Sequence, residues 1–397
     1  MSAPVPSPAD LELLAGGLVL RPWQAGDAAA IHQACQDPAM PRLLREHALE
    51  AVTRHPAAGS SPDAAVPLGV FDPASGELLG TAGLVRLDRA TGEAEIGYWT
   101  APHARGRGVA TTAARAIARY GLDVLRLRRL VWRTIVGNHA SRLVAARVGV
   151  RFEGIRRAEV YRDGQWHDAW AGSVLPGEIR EPADADSPDL LRAAARCHTF
   201  ERGQPTLRTT TRGGEPVRLR PLRPDDAPAC MAAATDPESI EFTSVPSPYQ
   251  LSDAETFVSR VAPRSWALGT AAIFAIADGQ DALVGTMDLR LRGDELTTPV
   301  GDVGYLVGPW ARGRGYASAA LAALCEWGFT AMRLHRIEWR AFVGNDASRA
   351  TAQRAGFQVE GVQREALGHR GRYRDTWVGA RLVSGAVPAP ETGENRD

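Results

Sequence analysis

The sequence predicts an α/β (α+β) fold in two tandem copies, each a mixed central sheet flanked by helices, and three observations carry that prediction. The hexapeptide Arg105-Gly106-Arg107-Gly108-Val109-Ala110 returns as Arg312-Gly313-Arg314-Gly315-Tyr316-Ala317. A single offset of 207 positions lays residues 95–170 on 302–377 without a gap, taking Arg105 to Arg312, Ser141 to Ser348 and Asp168 to Asp375. Apolar runs alternate with Ala-rich stretches in both halves, the β-α-β order of a sheet covered by helices. The fronts of the halves also match, Leu20-Arg21-Pro22 to Asp27 against Leu219-Arg220-Pro221 to Asp226, at the shorter offset of 199. A period this long fits a duplicated domain and not a solenoid unit.

In the first half, residues 1–16 read as a Pro-rich lead, 18–21 as the first strand and 27–35 as a helix begun at Asp27. Residues 39–67 hold Gly59-Ser60-Ser61-Pro62 and read as a loose loop. Residues 78–85 form a strand whose Gly80 and Gly83 suggest bulges, 95–100 the next strand, and 108–122 the central helix. A strand at 130–136 ends on Gly137, a short helix at 140–147 is closed by Gly149, and two strands follow around Asp163-Gly164. The second half repeats this order, which gives domains at 17–175 and 216–384. Residues 176–215 have no counterpart in the repeat, open on Pro176, Pro182, Pro188 and an acidic cluster, and read as a linker. Residues 190–200 can form one helix there, packed between the halves or exposed as a polar surface helix.

Composition narrows the partners. Lys+Arg 46 and Asp+Glu 46 cancel, so the chain lacks the global field that would hold a wrapped nucleic acid. The four cysteines, Cys35, Cys197, Cys230 and Cys325, have neither metal-ligand spacing nor a disulfide framework, so no metal is expected. Neither a signal peptide nor an apolar run long enough for a membrane span is legible, and a cytoplasmic location without membrane partners is the simplest expectation. Every basic residue is arginine. Codon bias in a GC-rich genome explains that, and an enzyme handling activated acyl groups also gains from lacking modifiable ε-amines.

The repeated turn carries chemistry. Each copy follows a Gly-Tyr-bearing apolar strand (Ile96-Gly97-Tyr98-Trp99, Val303-Gly304-Tyr305-Leu306) and opens an Ala-rich helix. Glycines allow close backbone approach to a phosphate, and successive N–H groups with the helix N-terminus form an anion cradle. No Gly-Lys-Ser/Thr follows, so this is not the P-loop, and the glycine spacing is not the dinucleotide fingerprint. A pyrophosphate-bearing cofactor is the expected ligand class.

Further elements repeat with the turn: Asn138-x-x-Ser141 and Asn345-x-x-Ser348, Glu153-Gly154 and Glu360-Gly361, and Asp168 and Asp375 each two residues before a Trp. Together with Arg-x-x-Gly-x-Ala after a Gly-Tyr strand, this combination resembles the GNAT acetyltransferase superfamily, and more narrowly the RimJ/RimL-type N-acetyltransferases, in both halves. The resemblance implies acetyl-CoA as cofactor, its pyrophosphate on Arg105, Gly106, Gly108, Val109 and Ala110 and on Arg312, Gly313, Gly315, Tyr316 and Ala317. It implies strands that splay apart beside Trp99-Thr100 and Leu306-Val307, freeing backbone groups for the pantetheine arm and the thioester carbonyl. Asn138 and Asn345 correspond to a cofactor-contacting asparagine, with helix capping as the alternative. Ser141 and Ser348 correspond to the hydroxyl that protonates the departing thiolate, and Glu95 and Asp302 to a carboxylate facing the acceptor. Asp168 and Asp375 read rather as structural hydrogen-bond acceptors, Tyr98 and Tyr305 as core, and His103, His139, His335 and His369 as non-catalytic.

The expected activity is acetyl transfer to a primary amine by direct attack, most simply the α-amine of a protein or peptide N-terminus. Acetylation of a small-molecule amine, such as an antibiotic or metabolite, is the alternative, and a third reading makes one half a non-catalytic acyl-CoA-binding module. The segment 242–261 favours the second half as the catalyst, whereas the longer Glu95 favours the first. A tethered repeat also predicts a monomer with the two halves paired as an intramolecular pseudo-dimer.

Overall fold

A computed structural model describes residues 11–38 and 66–383 of the chain. It divides into two compact units, Met1–Leu190 and Leu191–Asp397. In the first, the strands are β1 (Leu13–Ala15), β2 (Leu18–Arg21), β3 (Val66–Phe71), β4 (Leu78–Asp88), β5 (Glu93–Thr100), β6 (Arg129–Ile135), β7 (Arg151–Arg162) and β8 (Gln165–Val174). They form one mixed sheet in the order β1-β2-β3-β4-β5-β6-β8-β7, antiparallel throughout except for the parallel pair β5–β6. The second unit repeats the topology with β9 (Leu207–Thr210), β10 (Pro216–Pro221), β11 (Ala271–Ala277), β12 (Leu283–Leu291), β13 (Val300–Val307), β14 (Arg336–Phe342), β15 (Gln358–His369) and β16 (Arg372–Leu382). There β13–β14 is the parallel pair.

The helix after each glycine turn covers the sheet. In Val109–Arg119, Val109, Ala113, Ala114, Ile117 and Ala118 are buried, an i, i+4, i+5, i+8, i+9 stripe whose alanines let the helix lie close. It runs on through a wide turn at Tyr120–Val124, so the expected span of 108–122 is slightly short. Its counterpart Tyr316–Ala331 buries Tyr316, Ala320, Leu321, Leu324, Cys325 and Phe329 against Met287, Leu289 and Ile337. Each fully buried Leu or Phe there contributes about 1.5–3 kcal/mol relative to exposure. The matching fronts of the two halves also have a structural cause. Arg21 forks onto Asp27 at 2.7 and 2.9 Å, and Arg220 onto Asp226 at 2.8 and 2.9 Å, tying the strand next to the sheet edge to the following helical turn.

Four strands were not expected: β11 has no counterpart among the strands read from the sequence, and the other three lie in stretches read otherwise. β1 lies within the stretch read as a Pro-rich lead, β3 begins within the stretch read as a loop, and β9 lies within the stretch read as linker. Each is short, and Pro67 interrupts the apolar run of β3. The remainder of that loop reading, with Gly59-Ser60-Ser61-Pro62, falls outside the described residues. The linker stretch does contain a helix, Pro188–Glu201. Its Arg196 is buried and donates Nε to Met332 O at 3.2 Å, Nη1 to Glu295 O at 2.9 Å and Nη2 to Thr298 O. Phe200 packs edge-on against Trp266, whose Nε1 donates to the Phe200 carbonyl at 3.1 Å. Most of this helix, together with β9, is thus built into the second unit.

Candidate active site

The parallel strand pair opens in both units. β13 pairs with β14 only from Val300 to Val303, so residues 304–307 leave their neighbour; β5 pairs with β6 only from Glu93 to Glu95. The expected splay is therefore present beside Leu306-Val307 and Trp99-Thr100. At its end the chain turns through Gly313 (φ +75°) and Gly315 (φ +83°), and through Gly106 (φ +75°) and Gly108 (φ +81°). Gly108 and Gly315 are the N-caps of the two long helices and supply no side-chain acceptor, so the first-turn N–H groups keep their donor capacity. A Cβ on Gly106, Gly108 or Gly313 would meet nothing within 4 Å. The cradle's mouth is open at those positions.

The turn arginines are also paired within their own units. Arg312 pairs with Asp236 at 2.5 Å and Glu238 at 2.6 Å, and donates to Ser239 Oγ and the Val307 carbonyl. Burial opposes ionisation of Asp236, yet the Arg312 guanidinium and the Ser239 N–H outweigh it and hold the carboxyl below its ordinary range. Arg105 likewise pairs with Asp37 and the Thr100 carbonyl. These two side chains brace the turn against its own unit, and the glycine positions beside them stay exposed.

Asn345 caps the helix Asp346–Arg354, its Oδ1 accepting from Ser348 N at 3.0 Å, and Asn138 does the same for Ser141 N at 3.1 Å. Capping is thus present in both, with the amide N–H2 of each still available. Ser348 Oγ accepts from Trp339 Nε1 at 3.1 Å and lies 2.9 Å from the Tyr305 hydroxyl, which also reaches the Ser348 carbonyl at 3.0 Å. Ser141, Trp132 and Tyr98 repeat the cluster at 3.0–3.1 Å. Burial pushes the Tyr305 hydroxyl up to about 12 and Tyr98 higher still. The tyrosines, read from strand alternation as core, place their polar ends on the serines; pattern reveals a face but not a partner 43 residues away.

The strand carboxylates are heavily paired. Asp302 accepts from Arg290 at 3.2 and 3.3 Å and from Arg292 at 2.9 Å. Glu95 accepts from Arg86 at 2.9 Å and from Arg133, which also holds Glu159. Each of these carboxylates is thus engaged by two guanidiniums. Sequence reasoning missed a third acid. Asp288 on β12 lies opposite Gly304 on β13, and a Cβ on that glycine would sit 3.0 Å from Asp288 Oδ2. A side chain at 304 would crowd this carboxyl in its present position. Asp288 Oδ1 is occluded and has no hydrogen-bond partner, although Arg290 Nε stands 3.0 Å away. Burial raises the Asp288 carboxyl to about 6, Arg290 opposing and Asp302 reinforcing the shift.

In the second unit these groups meet in one cleft of about 1100 Å³. Gly313, Gly315, Leu306, Val307, Asn345, Ser348, Tyr305, Asp302 and Asp288 all line it. Phe242, Val245, Tyr249 and Phe257 form a further wall. The hairpin β15–β16 holds that wall: Arg370 donates to the Ile240 and Val245 carbonyls, Arg374 pairs with Glu241 at 2.8 Å, and His369 Nε2 lies 3.1 Å from the Thr243 carbonyl. The counterpart stretch in the first unit lies mainly outside the described residues. Asp168 and Asp375 accept backbone N–H bonds from Ala158 (3.0 Å) and Glu365 (2.8 Å), residues with φ near +48° at the strand irregularity of β7 and β15.

A family model described as "Acetyltransferase (GNAT) domain" matches residues 17–151 and again 217–358. The chain belongs to the GNAT acetyltransferase family. Each unit thus carries one GNAT domain, and both sheets have its mixed architecture. Among curated relatives, YdaF of Bacillus subtilis (strain 168), provisionally named a ribosomal N-acetyltransferase, is 39% identical over 103 residues, 26% of this chain and 56% of YdaF itself. The N-acetyltransferase p20 of Bacillus licheniformis, named as uncharacterized, is 26% identical over 41% of the chain and 91% of p20. Among solved structures, Mycobacterium smegmatis RimJ in complex with CoA-disulfide is 26% identical, covering 45% of this chain and 87% of that one at a TM-score of 0.40. No helix among the described residues of this GNAT chain is long and apolar enough to cross a membrane.

Proposed function

We propose that the chain is an acetyl-CoA-dependent N-acetyltransferase for the α-amine of a protein or peptide N-terminus, with the second GNAT domain as catalyst. The observation that carries this is the single cleft uniting the glycine turn, the splayed strand and the Ser348–Tyr305 pair. The residues fit acetyl-CoA: uncapped N–H groups at Gly313–Ala317 suit a pyrophosphate, and the open edge of β13 at Leu306-Val307 with the Asn345 amide suits the pantetheine arm. When bound, acetyl-CoA supplies an activated acetyl thioester. In the first domain, Trp99, Thr100, Gly106, Gly108, Val109, Ala110 and Asn138 would hold a second molecule in the same way.

Ser348 is poised to give a proton. Its Oγ already accepts from Trp339, so its own hydrogen is available either to Tyr305 or to a leaving thiolate in the cleft. Tyr305, with its hydroxyl held up to about 12, stays protonated at neutral pH and can refill the serine. The cleft's charge favours a peptide over a polycation, since seven arginines and three carboxylates line it. The name of YdaF, a ribosomal N-acetyltransferase, supports a ribosomal acceptor.

The test is thiol release from acetyl-CoA with a panel of N-terminal peptides, spermidine and small amines. Turnover restricted to peptides is expected. Turnover of small amines alone would move the reading to a small-molecule acetyltransferase, and acetyl-CoA binding without any turnover would make the chain an acyl-CoA-binding protein.

A further inference from the structure

Alternation on β12 puts Thr286, Asp288, Arg290 and Arg292 on the cleft face, while Met287, Leu289 and Leu291 enter the core. The two units can be compared strand by strand, because Gly285 pairs with Val307 as Gly80 pairs with Thr100. In that register Asp288 corresponds to Gly83 and Arg290 to Val85. The first unit therefore has Gly83 where the second has the acid Asp288, although Arg86, at the irregularity that follows Val85, still reaches Glu95. The duplication keeps the cofactor turn and the Ser-Tyr-Trp cluster in both units. It differs on the surface that meets the acceptor.

We infer that Asp288 is the proton acceptor for the acceptor amine in the second domain, and that Asp302 holds Arg290 and Arg292 in place. This rests on the amine-acetylation reading above. Asp288 offers a carboxyl that lines the cleft with about a quarter of its side chain exposed; one guanidinium, that of Arg290, stands 3.0 Å from its occluded oxygen, and the Gly304 N–H donates to the carboxylate. Asp302, eight-ninths covered and held by two guanidiniums, has its lone pairs engaged. The proton balance is simple. One proton passes from the acceptor ammonium to a carboxylate oxygen of Asp288, leaving a neutral amine and a carboxyl group, and the carboxyl later returns it to water.

The charged and titratable groups around Asp288 agree with that role. Arg290 shares its strand and Arg292 directly follows it, Asp302 and Tyr305 lie on β13, Arg340 on β14, and Cys230 on the helix Ala227–Ala234 lines the same cleft. Burial pushes Cys230 up to about 12, so it stays neutral. Burial also keeps the carboxyl near 6, where a base is still ionised at neutral pH yet basic enough to take a proton.

The test uses the full chain, saturating acetyl-CoA and a Ser-starting peptide as probe, with Asp288→Asn compared to wild type. Wild-type kcat/KM should rise with pH through an inflection near 6, distinct from the ionisation of the peptide amine at about 8. Asp288→Asn should lose that inflection and about 10²–10⁴-fold of turnover, with acetyl-CoA affinity changed less than about twofold. In parallel, difference infrared spectroscopy on the protein without substrates should show a protonated-carboxyl band titrating near 6, absent in Asp288→Asn and present in Asp302→Asn. An inflection that survives Asp288→Asn, or a band that disappears in Asp302→Asn instead, overturns the assignment. If the wild type turns over no peptide, the peptide reading fails, and the infrared titration alone decides whether Asp288 is the raised carboxyl.

Discussion

Gly106→Ala and Gly313→Ala separate a phosphate cradle from an ordinary tight turn. Both glycines sit at φ +75°, and an added Cβ meets no atom within 4 Å in either unit. The folding cost is therefore only that of placing an L-residue in the left-handed region, roughly 1–2 kcal/mol. For a unit of this size that lowers the melting temperature by about 2–8 °C. Binding should suffer differently, because the methyl group stands where anionic oxygens must approach the backbone N–H groups. Losing one charge-assisted hydrogen bond costs about 1.5–3 kcal/mol, or about 10- to 150-fold in Kd. Calorimetry reads both quantities, scanning for stability and titration with coenzyme A for affinity. A melting shift of the stated size with unchanged affinity would refute the cradle, leaving the glycines with a purely conformational role.

Titration of the wild-type chain with acetyl-CoA should give two sites, since both units retain open glycine turns and uncapped helix starts; Gly108→Glu and Gly315→Glu should each remove one, and a stoichiometry of one would show that an intact turn is insufficient. Asp288 binds its proton more tightly folded than unfolded, so its contribution to stability is greatest below about pH 4 and is lost as pH rises through about 6. Asp288→Asn should therefore gain roughly 2–3 kcal/mol on the wild type between pH 4 and pH 7 in denaturant titrations, whereas a constant difference would remove the case for a raised carboxyl. Arg196→Met leaves the Met332, Glu295 and Thr298 carbonyls without their donor and should destabilise the second unit by about 3–5 kcal/mol. Two calorimetric transitions should then separate, and an unchanged melt would show that the helix Pro188–Glu201 is dispensable.

Much of the fold was legible because the repeat was read twice. Strand, glycine turn and helix recur at one offset, so the weak local pattern around Gly106 was reinforced by that around Gly313. The short strands β1, β3 and β9 escaped because two of them span only three or four residues and Pro67 interrupts the other. The site was legible where chemistry is local, as in Asn345 capping Ser348 three residues on. It was hidden where partners come from neighbouring strands. Nothing in the run around Asp302 announces Arg290 and Arg292, and nothing around Tyr305 announces Ser348. Asp288 was hidden for a further reason: a repeat marks what the halves share, and its counterpart is Gly83, visible only once strand register is known.

Steady-state thiol release by Ser348→Ala and Ser141→Ala, with the same peptide and acetyl-CoA, tests the assignment of catalysis to the second domain most directly. Ser348→Ala should lower kcat by about 10²–10⁴-fold with acetyl-CoA affinity nearly unchanged, and Ser141→Ala should leave kcat nearly intact. The reverse ranking, with Ser141→Ala abolishing turnover and Ser348→Ala harmless, would contradict the account and make the first domain the catalyst.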